Sequence, residues 1–249
     1  MERLGRASLA TFYALGPYTA GGQVTLGEAA AHHMRVRRVG IGERVALVDG
    51  VGGIAEGTLL NLAKRLATVE VDVTRTSLAL PDVHMVVPIA DRDRMLWLAE
   101  KCAELGASSW RPLLWRRSRS VTPRGEGPAF AVKLQARLTE ALAQSTGAWL
   151  PLVYPESTVE RLPGTVPEGT RLLLDPDGAA MLGRSLVAPV TIAVGPEGGI
   201  EADERERLLA SGFAPVSLAG NILRFETAGV AALAIARAHL AIHSEAPHG

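Results

Sequence analysis

The chain has 249 residues, 47% of them hydrophobic and 21% charged, enough apolar material for one large domain or two modest ones. Its 26 basic and 26 acidic residues balance to a formal net charge of zero; this excludes gross polyanion binding by overall charge and leaves only local patches to act on such a partner. The single cysteine, Cys102, excludes an internal disulfide and fits a reducing compartment.

Met1 to Ala10 carries Glu2, Arg3 and Arg6 and no continuous apolar run, so no signal peptide is expected. The Ala- and Leu-rich stretch Thr227 to His243 is interrupted by Arg237 and His239 and reads as a buried helix, not a membrane span. A soluble, cytoplasmic protein is the expectation.

Through about residue 75, short apolar runs alternate with Gly-rich turns. Val45–Val48 ends at Asp49-Gly50, Ile54–Leu59 follows Gly52-Gly53, and Val69–Val73 alternates strictly, as a half-buried strand does. Only Leu26 to Val39 looks helical, so a small β-barrel or β-sandwich is predicted.

From about Ser77 strands alternate with helices. Val83–Ile89 is a strand, Asp91 caps a helix that runs to Leu105 and stops at Gly106, and Trp110–Trp115 is strand-like. An Arg-rich loop precedes a helix from about Phe130 to Ser145. Leu172–Leu174, Val190–Val194 and Val216–Leu218 are short apolar runs of the kind that form buried parallel strands. Glu201 to Ser211 is a helix with an acidic first turn and Gly212 as its stop. The fold class is α/β with a mostly parallel sheet, and the domains are expected at residues 1–74 and 75–249.

Two basic runs stand out in this neutral chain: Arg35, Arg37 and Arg38, and then Arg111, Arg116, Arg117, Arg119 and Arg124. A solvated face explains either run alone; two of them make a phosphate-contacting surface a second reading.

Ligands of open α/β sheets bind beyond the carboxyl ends of strands. Here those ends are Leu174–Gly178, Val194–Gly199 and Leu218–Ala228. Glycines in such loops let the backbone approach a flat ligand, and Pro196 stiffens the second turn. Glu197 and the acidic helix start beyond it would repel a polyphosphate, and neither a dinucleotide nor a P-loop fingerprint occurs here. A plain strand-to-helix connection remains the alternative for Gly195–Gly199.

The residues themselves carry a resemblance. Gly195-Pro-Glu-Gly-Gly199 with its acidic helix start, followed by Leu218-x-x-x-Ile222-Leu-Arg-x-Glu226-Thr-Ala228, resembles the signature of the RsmE family, the SPOUT-superfamily enzymes that make N3-methyluridine in 16S (small-subunit) ribosomal RNA. Glu100–Gly106 is similar to the family's E-K-x-x-E-L-G helix end. Arg111-Pro112 with Arg117-Ser118, Glu140-Ala141 with Gln144-Ser145, and His33, Val36 and Arg38 with Gly42–Gly50 match further family motifs in order. The resemblance implies an N-terminal PUA-like β-barrel that binds RNA and a C-terminal SPOUT domain with a deep trefoil knot. It also implies a homodimer and S-adenosylmethionine as methyl donor, with no metal.

Carried onto this chain, the cofactor site is Leu173, Leu174, Gly195, Pro196, Glu197, Gly198, Leu218, Asn221, Ile222 and Leu223. Ala219 and Asn221 stand where the family has Gly and Arg, and Thr146-Gly147 stands where it has Gly-Arg. Both missing arginines fall on the substrate side.

Uracil N3 must lose a proton on methylation, leaving negative charge on two carbonyl oxygens. Arg224 is the expected stabilising cation, with Glu197, Glu226 or water as proton acceptor; Glu226 can equally be a helix-start acid. The RNA contacts are expected at Arg35, Arg37, Arg38, Arg116, Arg117 and Arg119. The rival functions are a methyltransferase of this fold acting elsewhere in rRNA or on tRNA, and a non-catalytic RNA-binding protein. Cys102 reads as a buried thiol and His239/His243 as helix residues, not metal ligands.

Overall fold

The computed structural model describes residues 9–120 and 123–244, without the side chains of 119, 120 and 242–244. The chain divides into two compact units, Met1–Ala79 with Thr139–Trp149, and Leu80–Leu138 with Leu150–Gly249.

The first unit holds β1 (Ala10–Tyr13), β2 (Gln23–Leu26), α1 (Glu28–Val36), β3 (Arg44–Val48), β4 (Gly53–Leu62) and β5 (Ala67–Thr76). These strands form one five-stranded sheet in the order β1-β3-β4-β5-β2, antiparallel except for β1 beside β3. The alternation of β5 sends Ala67, Val69 and Val71 into a core with Phe12, Met34, Leu47 and Leu59. Residues 139–149 join this unit through one backbone and one side-chain donor: Gly52 N–H donates to Ala148 O at 2.8 Å, and the Trp149 indole Nε1 donates to Ser77 O at 3.2 Å.

The second unit contains β6 (Val83–Pro88), α2 (Arg92–Glu104), β7 (Ser109–Leu114), a 3-10 turn (Arg116–Ser120), and the start of α3 (Gly127–Ser145). Then come β8 (Leu152–Val153), β9 (Ser157–Thr158), β10 (Thr170–Ala180), β11 (Val190–Ala193), α4 (Ala202–Ala210), β12 (Ala214–Ser217) and α5 (Phe225–Ser244). Every pairing in its sheet is parallel, in the order β12-β10-β11-β6-β7-β8 with β9 also on β7.

Asp91 caps α2 as expected, its carboxylate accepting from Asp93 N at 3.1 Å and Arg94 N at 3.0 Å. Arg237 of α5 donates to the carbonyls of Leu105, Gly106 and Pro81, closing the far end of α2. Burial pushes that guanidinium down to about 10.

The structure departs from the sequence reading in detail. Strands β1, β2, β8 and β9, of two to four residues each, are not among those the sequence pattern predicts. β10 continues through Pro176-Asp177-Gly178, which reads as a turn. A bulge between Leu174 and Ala179 keeps it paired with β12, and a Cβ at Gly178 would come within 2.4 Å of Val216 N. Thr146 ends α3 at φ +57°, a left-handed position where the family's glycine was expected.

Candidate active site

The carboxyl ends of β10, β11 and β12 enclose a cleft of about 710 Å³, within the roughly 300–1,000 Å³ usual for small-molecule sites. Its wall includes Leu174, Gly195, Pro196, Glu197, Gly198, Leu218, Asn221, Ile222, Leu223 and Arg224. Leu173 is not on that wall. Side chains alternate along a strand, so Leu173 turns to the opposite face and packs with Trp115, Ala193 and Phe213 in the core.

The loop after β11 is held from several sides. Trp115 Nε1, buried, donates to Val194 O at 3.2 Å. Gly199 takes φ +80° and its N–H closes the turn on Pro196 O at 3.0 Å. Arg117 donates to Gly198 O at 3.0 Å and to Glu201 at 2.7 Å. Arg116 pairs with Asp203, and its backbone N–H donates to the buried carboxylate of Glu204 at 2.9 Å. Two of the expected RNA contacts, Arg116 and Arg117, are thus committed to α4 and the loop before it. The Arg119 side chain lies outside the described residues.

Arg111 and Arg124 of the second basic run are committed as well. Arg111 is buried, 4.1 Å over the Tyr154 ring, and donates to Thr165 O. Arg124 pairs with Glu126 at 2.9 Å. In the first unit, Arg35 donates to the carbonyls of Ala63 and Lys64 at 2.8 and 2.7 Å. Arg37 and Arg38 are exposed and make no ion pair or side-chain hydrogen bond among the described residues. His33 packs edge-on against Phe12 at 5.6 Å, and burial, then Arg37, lowers its pKa.

The acids and cations around the cleft separate by role. Arg224 is exposed at its edge and, among the described residues, its guanidinium has no partner. Asp175 accepts from Arg205 Nε at 2.6 Å, both on the wall. Glu197 accepts from Arg94 Nη1 at 2.8 Å. Glu226 is buried and is not part of the wall; Oε1 lies 3.9 Å from Arg94 Nε, and Oε2 has no hydrogen-bond partner among the described residues. Sequence reasoning singled out neither Arg94 nor Arg205, because only the fold brings Arg94 to an acid 103 positions away and Arg205 to Asp175, 30 positions back.

The donor set fits a cationic, flat ligand. Glycine-rich backbone offers N–H and C=O groups; of the acids on the wall, Asp175 and Glu197 are paired with Arg205 and Arg94, and Asp177, without an ion pair among the described residues, is the one left to meet a sulfonium or an ammonium. Among the described residues there is no group of three or more His, Cys, Asp or Glu placed to hold a metal, and no helix long and apolar enough to cross a membrane. His239 Nε2 accepts from Leu186 N–H at 3.1 Å, and burial pushes the Cys102 thiol up, as an inert core cysteine requires.

Two family models match the chain: an RNA methyltransferase domain over residues 77–237 and an RNA methyltransferase PUA domain over residues 26–72. That pairing defines the class, an RNA methyltransferase domain preceded by a PUA domain. A ribosomal RNA small subunit methyltransferase E of Synechocystis sp. is 34% identical over 223 residues, covering 85% of this chain and 71% of the relative. The protein of that name from Mycobacterium bovis is 28% identical, covering 87% and 86%. The crystal structure of a ribosomal RNA small subunit methyltransferase E from Neisseria gonorrhoeae, bound to S-adenosyl methionine, superposes with a TM-score of 0.82 at 28% identity, covering 91% of this chain and 95% of that one. The chain belongs to the ribosomal RNA small subunit methyltransferase E family, as its motifs suggested.

Proposed function

We propose that the protein transfers a methyl group from S-adenosylmethionine to N3 of a uridine in small-subunit ribosomal RNA, in the cleft at the ends of β10, β11 and β12. The observation that carries this reading is the cleft itself, with the Gly195–Gly199 backbone loop, Asp175, Asp177 and Glu197 on its wall, and Arg224, without a side-chain partner among the described residues, at its edge. S-adenosylmethionine, when bound, supplies an activated methyl group on a positive sulfur.

The chain's own residues do the rest. Leu174, Gly195, Pro196, Gly198, Leu218, Asn221, Ile222 and Leu223 hold the donor in line with the acceptor nitrogen, with Leu173 supporting Leu174 from the core side. Glu197, on the wall, takes the proton from N3, so that the N3 electron pair can form the N–methyl bond while the methyl–sulfur bond breaks and its pair leaves with the sulfur as a neutral thioether. Arg224 donates N–H groups to the uracil oxygens and stabilises the negative charge left there. Glu226, buried away from the wall, serves the site indirectly.

Residues 1–74 form the RNA-binding domain in this reading and residues 75–249 the knotted methyltransferase domain. Arg37 and Arg38 contact phosphates, with Arg35 shaping the loop beside them. Arg116, Arg117 and Arg119 belong to a second phosphate surface only if the first two leave their acids. The enzyme works in the cytoplasm as a homodimer.

Calorimetry with S-adenosylmethionine and mass mapping of methyluridines in ribosomal RNA test this. The RNA is taken from a strain lacking the gene and from the same strain complemented with this sequence. Binding, with 3-methyluridine restored in the small subunit, is expected. No binding at millimolar ligand would favour a non-catalytic RNA binder; a methyl group restored in tRNA or elsewhere in rRNA would overturn the acceptor and keep the chemistry.

A further inference from the structure

Two carboxylates beside the cleft, far apart in sequence, meet one guanidinium. Arg94 lies in the first turn of α2, where Asp91 fixes the backbone by accepting from the Arg94 N–H at 3.0 Å. Its Nη1 donates to Glu197 Oε1 at 2.8 Å, and its Nε lies 3.9 Å from Glu226 Oε1. The exposures are graded: the Glu226 side chain is 11% exposed, Glu197 29% and Arg94 37%. Glu197 is on the cleft wall and Glu226 is not.

We propose that Arg94 is a positioning residue, which holds the Glu197 carboxylate at the cleft wall and is itself steered by the buried Glu226. The proposal rests on the reading above in taking Glu197 to face the reacting base. Three physical points support it. A partly exposed Glu side chain on a turn, here between Pro196 and Gly198, has many rotamers, and a charge-assisted hydrogen bond selects one of them. The guanidinium comes from a capped helix, a stiffer base than the loop it holds. Glu226, in the first turn of α5 and largely desolvated, keeps its attraction for Arg94 better than an exposed acid would.

The turn around Glu197 is therefore fixed at two points by cations from different elements, Arg94 on the side chain and Arg117 on the Gly198 carbonyl. Only the Arg94 contact acts on the carboxylate, so it predicts coupling to Glu197 specifically. The contact to Glu197 is a single N–H···O bond, so a lysine ammonium can replace it where a two-pronged clamp could not be replaced.

The test uses the full-length protein with Arg94→Gln, Arg94→Lys, Glu197→Gln, Glu226→Gln and the Arg94→Gln/Glu197→Gln double variant. Two readouts are taken: methyl transfer to small-subunit RNA, and amide hydrogen exchange of Gly199 without ligand. The Gly199 N–H closes the turn on Pro196 O, so its exchange reports turn opening.

Arg94→Gln and Glu197→Gln should each lower kcat by roughly tenfold, and the double variant should be no worse than the singles, because one removes what the other positions. Arg94→Lys should stay within about threefold of wild type, and Glu226→Gln should lose about threefold. Gly199 exchange should speed up by roughly tenfold in Arg94→Gln and not in Arg94→Lys. Additive losses in the double variant, or unchanged Gly199 exchange in a folded Arg94→Gln protein, would overturn the proposal. If wild type itself fails to transfer methyl groups, the functional reading fails, and the exchange arm alone still decides whether Arg94 holds the turn.

Discussion

Arg37 and Arg38 follow the end of α1 into solvent, with no acid bonded to either among the described residues. Arg116 and Arg117, in the 3-10 turn after β7, are spoken for: Asp203 and Glu201 accept from their side chains, and Gly198 O from Arg117. As strings of letters the two runs are alike. Their chemistry differs because a guanidinium already bonded to carboxylates must break those bonds before it can bind a phosphate, whereas a solvated one exchanges only water and counterions. Arginine density therefore says little about nucleic-acid contact until the local acids are counted. In this chain Arg117 braces the loop after β11 and Arg116 the helix beyond it, while Arg37, Arg38 and Arg224 have no side-chain partner among the described residues.

The largest effect expected from that division falls on Arg224. Arg224→Ala should lower kcat by roughly 10²–10³, about 2.7–4 kcal/mol of transition-state stabilisation, while calorimetry finds S-adenosylmethionine affinity within about threefold of wild type. Near-normal turnover would remove Arg224 from the chemistry and weaken the case that uncommitted arginines are the functional ones.

A smaller effect should come from the committed side. Arg117→Gln loses the bonds to Gly198 O and Glu201, and the Arg117 side chain is half exposed, so the loss is about 1 kcal/mol or less. S-adenosylmethionine should bind up to roughly fivefold more weakly in this variant. The Arg37→Ala/Arg38→Ala variant should bind it unchanged. Equal effects in both would erase the distinction.

The weakest effect sharpens the same contrast through pH. The hydrogen bond from Arg116 holds the Asp203 carboxyl below its usual range. A carboxylate depressed in the folded state stabilises above its unfolded value of about 3.9, and that stabilisation is lost as pH falls through the lower folded value. The difference in urea midpoint between wild type and Arg116→Ala should therefore be small at pH 5–7 and close in stronger acid. Arg37→Ala/Arg38→Ala should show no such pH-dependent gap, and a gap there would mean an unrecognised acid partner.

Much of this architecture was legible in the residues. Strict alternation marked β5, Asp91 and Gly106 bracketed α2, and the three apolar runs before Asp175, Gly195 and Leu218 located the cleft. Those signals are local, set by neighbours within a turn or a strand. The side chains of Leu173 and Leu174 part company because the cleft lies on one face of β10 and alternation carries Leu173 into the core. Arg94, Arg116 and Arg117 were opaque for a different reason. Their partners lie more than 80 positions away, and only the parallel sheet, which sets β11 beside β6 and β6 beside β7, brings them together.

The most direct test of the central claim is the salt dependence of RNA binding. Affinity for a small-subunit RNA fragment is measured across a salt series for wild type, Arg37→Ala/Arg38→Ala and Arg116→Ala/Arg117→Ala. Each phosphate contact contributes roughly 0.7–0.9 to the slope of log K against log salt. The account predicts a slope shallower by about 1.4–1.8 for Arg37→Ala/Arg38→Ala and an unchanged slope for Arg116→Ala/Arg117→Ala. The reverse pattern would contradict it, placing RNA on the arginines here assigned to the cofactor loop.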